Sequence, residues 1–222
     1  MNTLILRTNS NENILKAVFI LRNGGIIATP TDTVYGLVAS IFNKEAVEKI
    51  YSVKKRPKNK PLIVLISDIN QFKDLTINTK LTINTNKYTK ILIEKFWPGP
   101  LTLVLKKSSS VPDYVTSYKN FVGIRFPKSN TIKKIIDNLG VPIVAPSANI
   151  SGKPSPSCFD GVFKDFNCKI DAILKDEIDF KENAKHRTES TIVSLKTDVP
   201  KILREGAIPK EEIEKVLSLD NF

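Results

Sequence analysis

Hydrophobic residues along the chain alternate between helical spacing and short unbroken runs. Ile14, Leu15, Val18 and Leu21 recur every three or four residues, which is the pattern of a helix with one buried face. Residues 62–66 (LIVLI) instead form an uninterrupted apolar run, typical of a strand that is buried on both faces. Because segments of the two kinds follow one another throughout, the pattern predicts an α/β fold, with helices flanking a mixed β-sheet.

Turn and capping residues place the ends of these elements. Asn43 is a favourable N-cap, Gly140 is a favourable C-cap, and Pro98 and Pro100 end a helix. No Ser/Gly-rich linker divides the chain, so we expect residues 1–222 to form one domain, with a C-terminal helix as the only candidate appendage. The predicted helices are 11–22, 43–54, 68–75, about 88–97, 131–139, 160–166 and 209–219. The predicted strands are 26–28, 62–66, 101–105, 122–125, 142–145, 171–174, 191–195 and 201–204.

The composition is that of a globular protein that needs no metal or disulfide to hold its core. The chain has 222 residues, of which 41% are hydrophobic, and this excludes a wholly disordered protein. Cys158 and Cys168 form no CxxC pair, which excludes a disulfide framework and a four-cysteine zinc site. Residues 1–13 lack the pattern of a secretory signal, and the apolar runs are too short to span a bilayer. We therefore expect a cytoplasmic protein with no membrane partner.

The net charge of +11 fits two kinds of partner or none. It is compatible with nucleic acid, with a phosphorylated substrate, or merely with a Lys-rich composition. Only six of the 34 basic residues are Arg, so the positions of Arg are more informative than those of Lys. The chain has no GxxxxGK[ST], GxGxxG or HExxH pattern, which excludes the usual phosphate loops and the zincins as sequence motifs. The single histidine, His186, lies in a polar stretch and is predicted to be a surface residue.

Polar segments follow several of the predicted strands. In α/β sheets ligands bind at strand ends, although each segment taken alone also fits a plain turn or a solvated surface. Together they supply many cations and hydroxyls but few proton carriers, which favours transfer at phosphorus, where positioning and charge neutralisation dominate catalysis. The segments are 30–37 (PTDTVYGL), 54–60 (KKRPKNK), 145–156 (APSANISGKPSP), 189–193 (ESTIV) and 203–206 (LREG), with Arg125 inside strand 122–125.

Two of these features leave a choice open. Segment 54–60 carries five cations and no acidic residue, and Pro57 stiffens it. It fits either a solvated basic turn or a clamp for polyphosphate or RNA. Arg125 is either a half-exposed surface residue or a bidentate partner for a carboxylate or phosphate.

Six segments, in this order, resemble the YrdC family of threonylcarbamoyl-adenylate synthases. The likeness runs from about residue 23 to residue 206, and it implies the short, single-domain form of that family. It also implies a twisted mixed sheet around a positively charged concave cleft. The closest segments are 30–37 (PTDTVYGL), 55–57 (KRP) with 60–62 (KPL), 97–102 (WPGPLT), 146–149 (PSAN) and 189–192 (ESTI).

The resemblance implies a reaction. L-Threonine, bicarbonate and ATP, with Mg²⁺, would give L-threonylcarbamoyl-AMP and pyrophosphate. A partner tRNA threonylcarbamoyl transferase would then modify the adenosine beside the anticodon of ANN-decoding tRNAs, with at most weak tRNA contact by this chain. Two alternatives are a basic RNA-binding or tRNA-binding module without catalysis, and a carbamoyltransferase-related YrdC-like domain. Proteins of the latter kind are far larger and carry CxxC zinc modules.

The resemblance also implies roles for individual residues, with none of them binding a metal. Leu65 departs from the family pattern, because many members have a polar residue there, often His. Glu205 departs from it too, since it follows Arg204 where Pro is common and puts a carboxylate beside a proposed phosphate ligand. The implied catalytic residues are Arg56 and Lys55, and the implied ATP contacts are Arg56, Lys60, Thr116, Ser147, Asn149, Ser155 and Arg204. The implied threonine contacts are Thr33, Arg125, Ala145 and Ser190, with Arg125 as partner of the substrate carboxylate.

Overall fold

Ten strands form one mixed sheet in the computed structural model, which describes residues 2–77, 83–176 and 188–218. The strand order is β1-β8-β2-β3-β7-β4-β6-β5-β9-β10. Strand pairs β1/β8, β2/β8, β4/β6 and β5/β9 are parallel, and the other pairs are antiparallel, which confirms the prediction of a mixed sheet. The strands are β1 (Leu4–Arg7), β2 (Ile27–Thr29), β3 (Gly36–Ser40), β4 (Ile63–Leu65), β5 (Leu101–Lys106), β6 (Phe121–Arg125), β7 (Ile143–Val144), β8 (Ala172–Lys175), β9 (Thr191–Ser194) and β10 (Lys201–Arg204).

Seven helices lie within the described residues, and two of their caps, Asn43 and Gly140, are those that the sequence indicates. The Asn43 side chain accepts a hydrogen bond from the Ala46 amide at 2.8 Å, and Gly140 ends its helix with φ +81°. The helices are α1 (Asn11–Arg22), α2 (Lys44–Lys54), α3 (Ile69–Leu75), α4 (Ile83–Phe96), α5 (Asn130–Leu139), α6 (Phe159–Phe166) and α7 (Lys210–Ser218). None of the described helices is long and apolar enough to cross a bilayer.

The structure differs from the prediction at three elements: strands β1 and β3 were not among the predicted strands, and helix α4 begins earlier than predicted. Strand β1 was not expected, because three of its four side chains are exposed and give no clear alternation. Strand β3 begins inside segment 30–37, at Gly36. The segment is therefore a turn that enters a strand, and this is compatible with a role in ligand binding. Helix α4 begins at Ile83 instead of about Tyr88. Nothing in the sequence indicated this earlier start, because the first turn is rich in Asn and Thr, which have low helix propensity.

The helices cover both faces of the sheet. Helices α1 and α5 pack over one face, while α2 and α6 pack over the other. Helices α4 and α7 bury a third cluster, including Leu92 and Ile213, against β5 and β9. In the sheet the register pairs Leu65 of β4 with Arg125 of β6, and Arg125 with Thr102 of β5. The ends of three central strands therefore meet at one place, and the candidate site lies there.

Candidate functional site

One cavity brings together seven of the residues that the sequence places at a site. These residues come from six segments that are spread over most of the chain, and the sheet register brings the segments together. The seven are Thr33, Arg56, Arg125, Ala145, Ser147, Ser190 and Arg204. The rest of the wall is formed by Thr31, Val34, Tyr35, Gly36, Pro61, Ile63, Leu65, Pro146 and Glu189.

Arg125 is buried at the end of β6, with 5% of its surface exposed, so the interpretation of it as a half-exposed surface residue is wrong. Its Nη2 pairs with Asp32 Oδ1 at 2.5 Å, Nη1 donates to Thr33 Oγ1 at 2.8 Å, and Nε donates to the Gly99 carbonyl at 3.1 Å. Burial lowers the pKa of Arg125, and the Asp32 carboxylate acts in the opposite direction. Three of its five N–H groups are thus engaged by described residues. The other two remain for a ligand.

The turn between β2 and β3 fixes what Thr33 can offer a ligand. Thr31 Oγ1 accepts the Thr33 amide at 3.0 Å and donates to the Val34 carbonyl at 2.8 Å. Its hydroxyl proton is therefore used, so in the 3.0 Å contact between the two threonine hydroxyls Thr33 is the donor. Since Thr33 also accepts from Arg125, its hydroxyl has one lone pair left. Thr33 can therefore serve a ligand only as a hydrogen-bond acceptor.

The cations of segment 54–60 point to different places. Lys55 adopts a left-handed conformation (φ +51°) that ends α2 and turns the chain back. Arg56 then lies against its own loop, donating to the carbonyls of Lys60 at 3.2 Å and Pro61 at 2.8 Å, and reaches the cavity. Burial lowers the pKa of Arg56. Lys55 and Lys58 line a neighbouring surface depression that shares Arg56 with the cavity, and the exposed Lys60 contributes its carbonyl to Arg56.

Lys54 is the buried cation of this segment, and it was not among the residues predicted to form the site. It is 1% exposed, and its Nζ donates to the Asn149 carbonyl at 2.7 Å, to Asn149 Oδ1 at 3.1 Å and to the Ser147 carbonyl. Burial, and to a lesser degree the nearby Arg56, lower the pKa of Lys54 to about 7, while Glu189 opposes both. A signal was present in the sequence: Lys54 continues the buried stripe of α2 through Val47 and Ile50.

Besides Lys60, three further proposed nucleotide contacts lie outside the cavity wall. Asn149 is buried within its own loop, where it accepts from Ser147 Oγ at 2.6 Å and donates to the Lys153 carbonyl. Thr116 is fully buried and donates to the Asp113 carbonyl at 3.3 Å. Ser155 lines an adjoining depression, which shares Glu189 with the cavity.

Glu189 adds a carboxylate to a site that the sequence predicts as cations and hydroxyls. It forms an ion pair with Arg204 Nη1 and accepts from Ser155 Oγ at 2.5 Å. Arg204 also donates to the Ser190 carbonyl from Nε at 3.0 Å and from Nη2 at 2.9 Å. Glu205 Oε1 accepts from the Lys210 amide at 3.2 Å, so the carboxylate that follows Arg204 in the sequence is engaged at the start of α7.

The cavity has cationic and apolar parts. Arg56, Arg125 and Arg204 face it, while Leu65, which is 2% exposed, lies beside Arg125 in the register of β4 and β6. In residues 2–77, 83–176 and 188–218 no three His, Cys, Asp or Glu side chains are grouped to hold a metal. His186 lies outside the described residues. The arrangement suits a ligand with a carboxylate, a small apolar group and further negative charge.

Comparison with known proteins gives consistent matches. The family model described as telomere recombination, which bears the names Sua5, YciO and YrdC, matches residues 19–206. The chain is 41% identical to the threonylcarbamoyl-AMP synthase of Pyrococcus abyssi over 201 residues, covering 90% of this chain and 56% of the relative. It is also 41% identical to that of Bacillus subtilis over 213 residues, covering 96% of this chain and 58% of the relative.

A solved structure matches over nearly the whole chain. The crystal structure of P. abyssi Sua5 complexed with L-threonine has a TM-score of 0.87 and 38% identity, covering 97% of this chain and 61% of that one. The chain thus spans little more than half the length of the two curated relatives described above. The α/β fold with a mixed sheet is shared with this structure.

Proposed function

The chain belongs to the Sua5/YciO/YrdC family, and we propose from this and from its cavity that it is an L-threonylcarbamoyl-AMP synthase. The observation that carries the proposal is the convergence of Arg56, Arg125 and Arg204, three of the six arginines, on one cavity with a small apolar wall. Arginine is the side chain best suited to grip carboxylate and phosphate groups. The substrates would be L-threonine, bicarbonate and ATP, and the products threonylcarbamoyl-AMP and pyrophosphate.

The threonine end of the site would be built on Arg125. Its two remaining N–H groups offer a bidentate contact to the substrate carboxylate, while Asp32 keeps the guanidinium in place. The lone pair left on Thr33 would accept from the substrate ammonium or hydroxyl. Ala145 and Ser190 line the same cavity and would enclose the rest of the amino acid. Enclosing the methyl group of threonine would discriminate against serine by about 1–3 kcal/mol.

The phosphate end would be built on Arg56, Ser147 and Arg204. The threonine amine and bicarbonate would form a carbamate with loss of water, and a carbamate oxygen would attack the α-phosphorus of ATP. Pyrophosphate would leave with its negative charge beside Arg56, so the chemistry is a nucleotidyl transfer. Mg²⁺ would enter with the ATP phosphates, which are its usual ligands in such sites, and would neutralise part of their charge.

The remaining predicted residues would act around this centre. Lys60 would hold Arg56 through its carbonyl, and Asn149 would hold the Ser147 loop through Lys54. Ser155 adjoins the cavity and would contact the nucleotide there. Lys55 lies at the surface and would attract the negative charge of the nucleotide. Thr116 is fully buried, so it would contribute by stabilising the turn that it forms with Asp113.

We also propose the setting of the reaction. Residues 1–222 would act as one catalytic domain in the cytoplasm. The mixed anhydride made here would pass to a tRNA threonylcarbamoyl transferase, which would use it to modify ANN-decoding tRNAs.

The test measures ATP consumption and formation of the AMP adduct by the purified chain. Both should require threonine and bicarbonate and should ignore added RNA. Arg56→Ala should lower turnover by roughly 100-fold or more, because a pre-aimed cation is lost, while the fold is retained. Lys58→Ala, which removes an exposed cation of the same segment, serves as the matched control and should have little effect. Near-normal turnover by Arg56→Ala, or salt-sensitive tRNA binding without threonine-dependent ATP use, would contradict the proposal.

A further inference from the structure

Glu189 is the one acidic side chain among the described residues that line the cavity. Both of its carboxylate oxygens are engaged by groups that we assign to ATP binding. Oε2 forms the ion pair with Arg204, and Oε1 accepts from Ser155 Oγ at 2.5 Å. An acidic group in a site proposed for a triphosphate needs a physical explanation, because like charges repel at short range.

Arg204 offers only one side of its guanidinium to an anion. Its Nε and Nη2 donate to the carbonyl of Ser190, and Nη2 is also 3.2 Å from Ser190 Oγ. These contacts hold the guanidinium against the β9 end of the cavity. Nη1 is left to face outward, and it is Nη1 that contacts Glu189. A phosphate oxygen that approaches Nη1 would share this nitrogen with the Glu189 carboxylate, and the two anions would repel each other at that distance.

The backbone of Glu189 is fixed, whereas its side chain has room to leave. Its carbonyl accepts from the Ala207 amide at 2.9 Å, and Gly206 lies against the Ser190 backbone so closely that a Cβ would be 2.6 Å from the Ser190 carbonyl carbon. The Glu189 side chain, by contrast, is 30% exposed. It also lines the adjoining depression with Lys153, into which its carboxylate can move.

We propose that Glu189 is an internal counter-anion that occupies Arg204 and Ser155 in the free protein and is displaced by the phosphates of ATP. The inference rests on the proposed function, since it takes ATP as the incoming anion. Carboxylate and phosphate oxygens accept the same charge-assisted hydrogen bonds, so each can substitute for the other at Arg204. The need to displace Glu189 lowers the apparent affinity for every phosphate ligand, because only protein molecules in which Glu189 has left Arg204 can bind it.

Calorimetric titration of the whole chain with inorganic pyrophosphate tests this directly. Glu189→Gln keeps the shape and the acceptor for Ser155 but removes the charge, so it should bind pyrophosphate roughly fivefold more tightly than the wild type. Glu205→Gln is the matched control, since it makes the same change in net charge beside Arg204 in sequence, yet its side chain contacts Lys210. It should stay within about twofold of the wild type.

A second pair of variants assigns the gain to Arg204. In an Arg204→Gln background the added Glu189→Gln change should give no gain, because the contested donor is absent. Glu189→Ser, which shortens and neutralises the side chain, should shift affinity in the same direction as Glu189→Gln. Unchanged or weaker binding by both neutral variants, an equal gain in Glu205→Gln, or a gain that survives without Arg204 would overturn the inference. None of these results depends on turnover, so failure of the proposed function would appear separately, as wild-type protein that does not consume ATP with threonine.

Discussion

Two buried cations, Arg125 and Lys54, are accommodated in different ways. Arg125 pairs with a carboxylate, while the described contacts of Lys54 Nζ are with carbonyl and amide oxygens. A buried charge without an opposite charge is costly, and for lysine the cost appears as a lowered pKa. The Arg125 guanidinium therefore stays charged for a ligand, whereas Lys54 can lose its proton near neutrality.

This difference predicts a pH dependence of stability. The folded protein holds Lys54 with a pKa of about 7, while in the unfolded chain the pKa returns to its ordinary value of 10.5. Between those values the unfolded state binds more protons, so the free energy of unfolding rises with pH, by about 3 kcal/mol from pH 7 to 9.5. The contribution is lost as the pH falls through 7.

Urea unfolding of the wild type and of Lys54→Met across this range measures the effect. The variant should be less stable at every pH, because the Asn149 and Ser147 oxygens lose their donor, but its stability should lack the rise with pH. Lys55→Met, at the exposed neighbouring position, should keep the wild-type slope. Equal slopes in the wild type and Lys54→Met would show that Lys54 stays charged throughout.

Single residues could be predicted from the sequence where they break a local pattern. Arg125 interrupts an apolar strand and was recognised for that reason, as was the concentration of cations around Arg56. Asp32 and Glu189 could not be assigned, since their partners are 93 and 15 residues away and the contacts depend on the sheet register. Long-range pairing of this kind leaves no periodic signal in the sequence.

At the scale of elements, the connection after β10 holds the acidic and hydroxyl groups of the site in place. Gly206 packs on residues 189–191, and a Cβ there would lie 2.7 Å from the Thr191 nitrogen and closer still to the Glu189 carbonyl oxygen. Thr191 Oγ1 in turn accepts the Gly206 amide at 3.0 Å. The two segments therefore approach as closely as backbones allow.

We predict that Gly206→Ala destabilises the protein by about 2–3 kcal/mol, because the added methyl forces backbone apart where no flexible side chain can yield. Chemical denaturation measures the loss. Gly123→Ala in β6 is the control, since its Cβ would meet neighbours at 3.5 Å or more, and stability should be unchanged or slightly higher. A Gly206→Ala variant as stable as the wild type would mean that the 189–191 backbone moves aside at little cost.

Elements with strong periodicity were located correctly to within a residue or two, as α1, α5 and β6 illustrate. Those that failed had weak local signals. Strand β1 lies at the edge of the sheet and exposes Leu4 and Ile5, so neither alternation nor an apolar run marked it. The order of the ten strands was not predictable, because crossovers between distant strands are set by packing and not by local propensity.

At the scale of the whole molecule, the charge of +11 divides into two parts. Arg56, Arg125 and Arg204 face the cavity, while Lys55 and Lys58 of the basic segment line only the neighbouring surface depression that shares Arg56. The excess of lysine therefore does not indicate where the site lies or what it binds. The part that faces the cavity is a small set of arginines whose positions are fixed by hydrogen bonds to the backbone or to a carboxylate.

A ligand that binds only the folded protein must raise its unfolding temperature, and this gives a test on the entire molecule. Threonine at about 100 times its dissociation constant should add about 2.7 kcal/mol of stability, a rise in Tm of about 5–10 °C for a chain of this size. Serine at the same concentration should give a smaller rise, because it leaves the apolar wall unfilled.

Two variants test whether the rise depends on Arg125. Arg125→Lys keeps the charge but loses the planar fork, so its own Tm should respond little to threonine. Lys134→Ala, at an exposed position on α5, should respond as the wild type does. A Tm that rises with RNA and not with threonine, measured by thermal unfolding at fixed salt, would favour the RNA-binding alternative over the synthase.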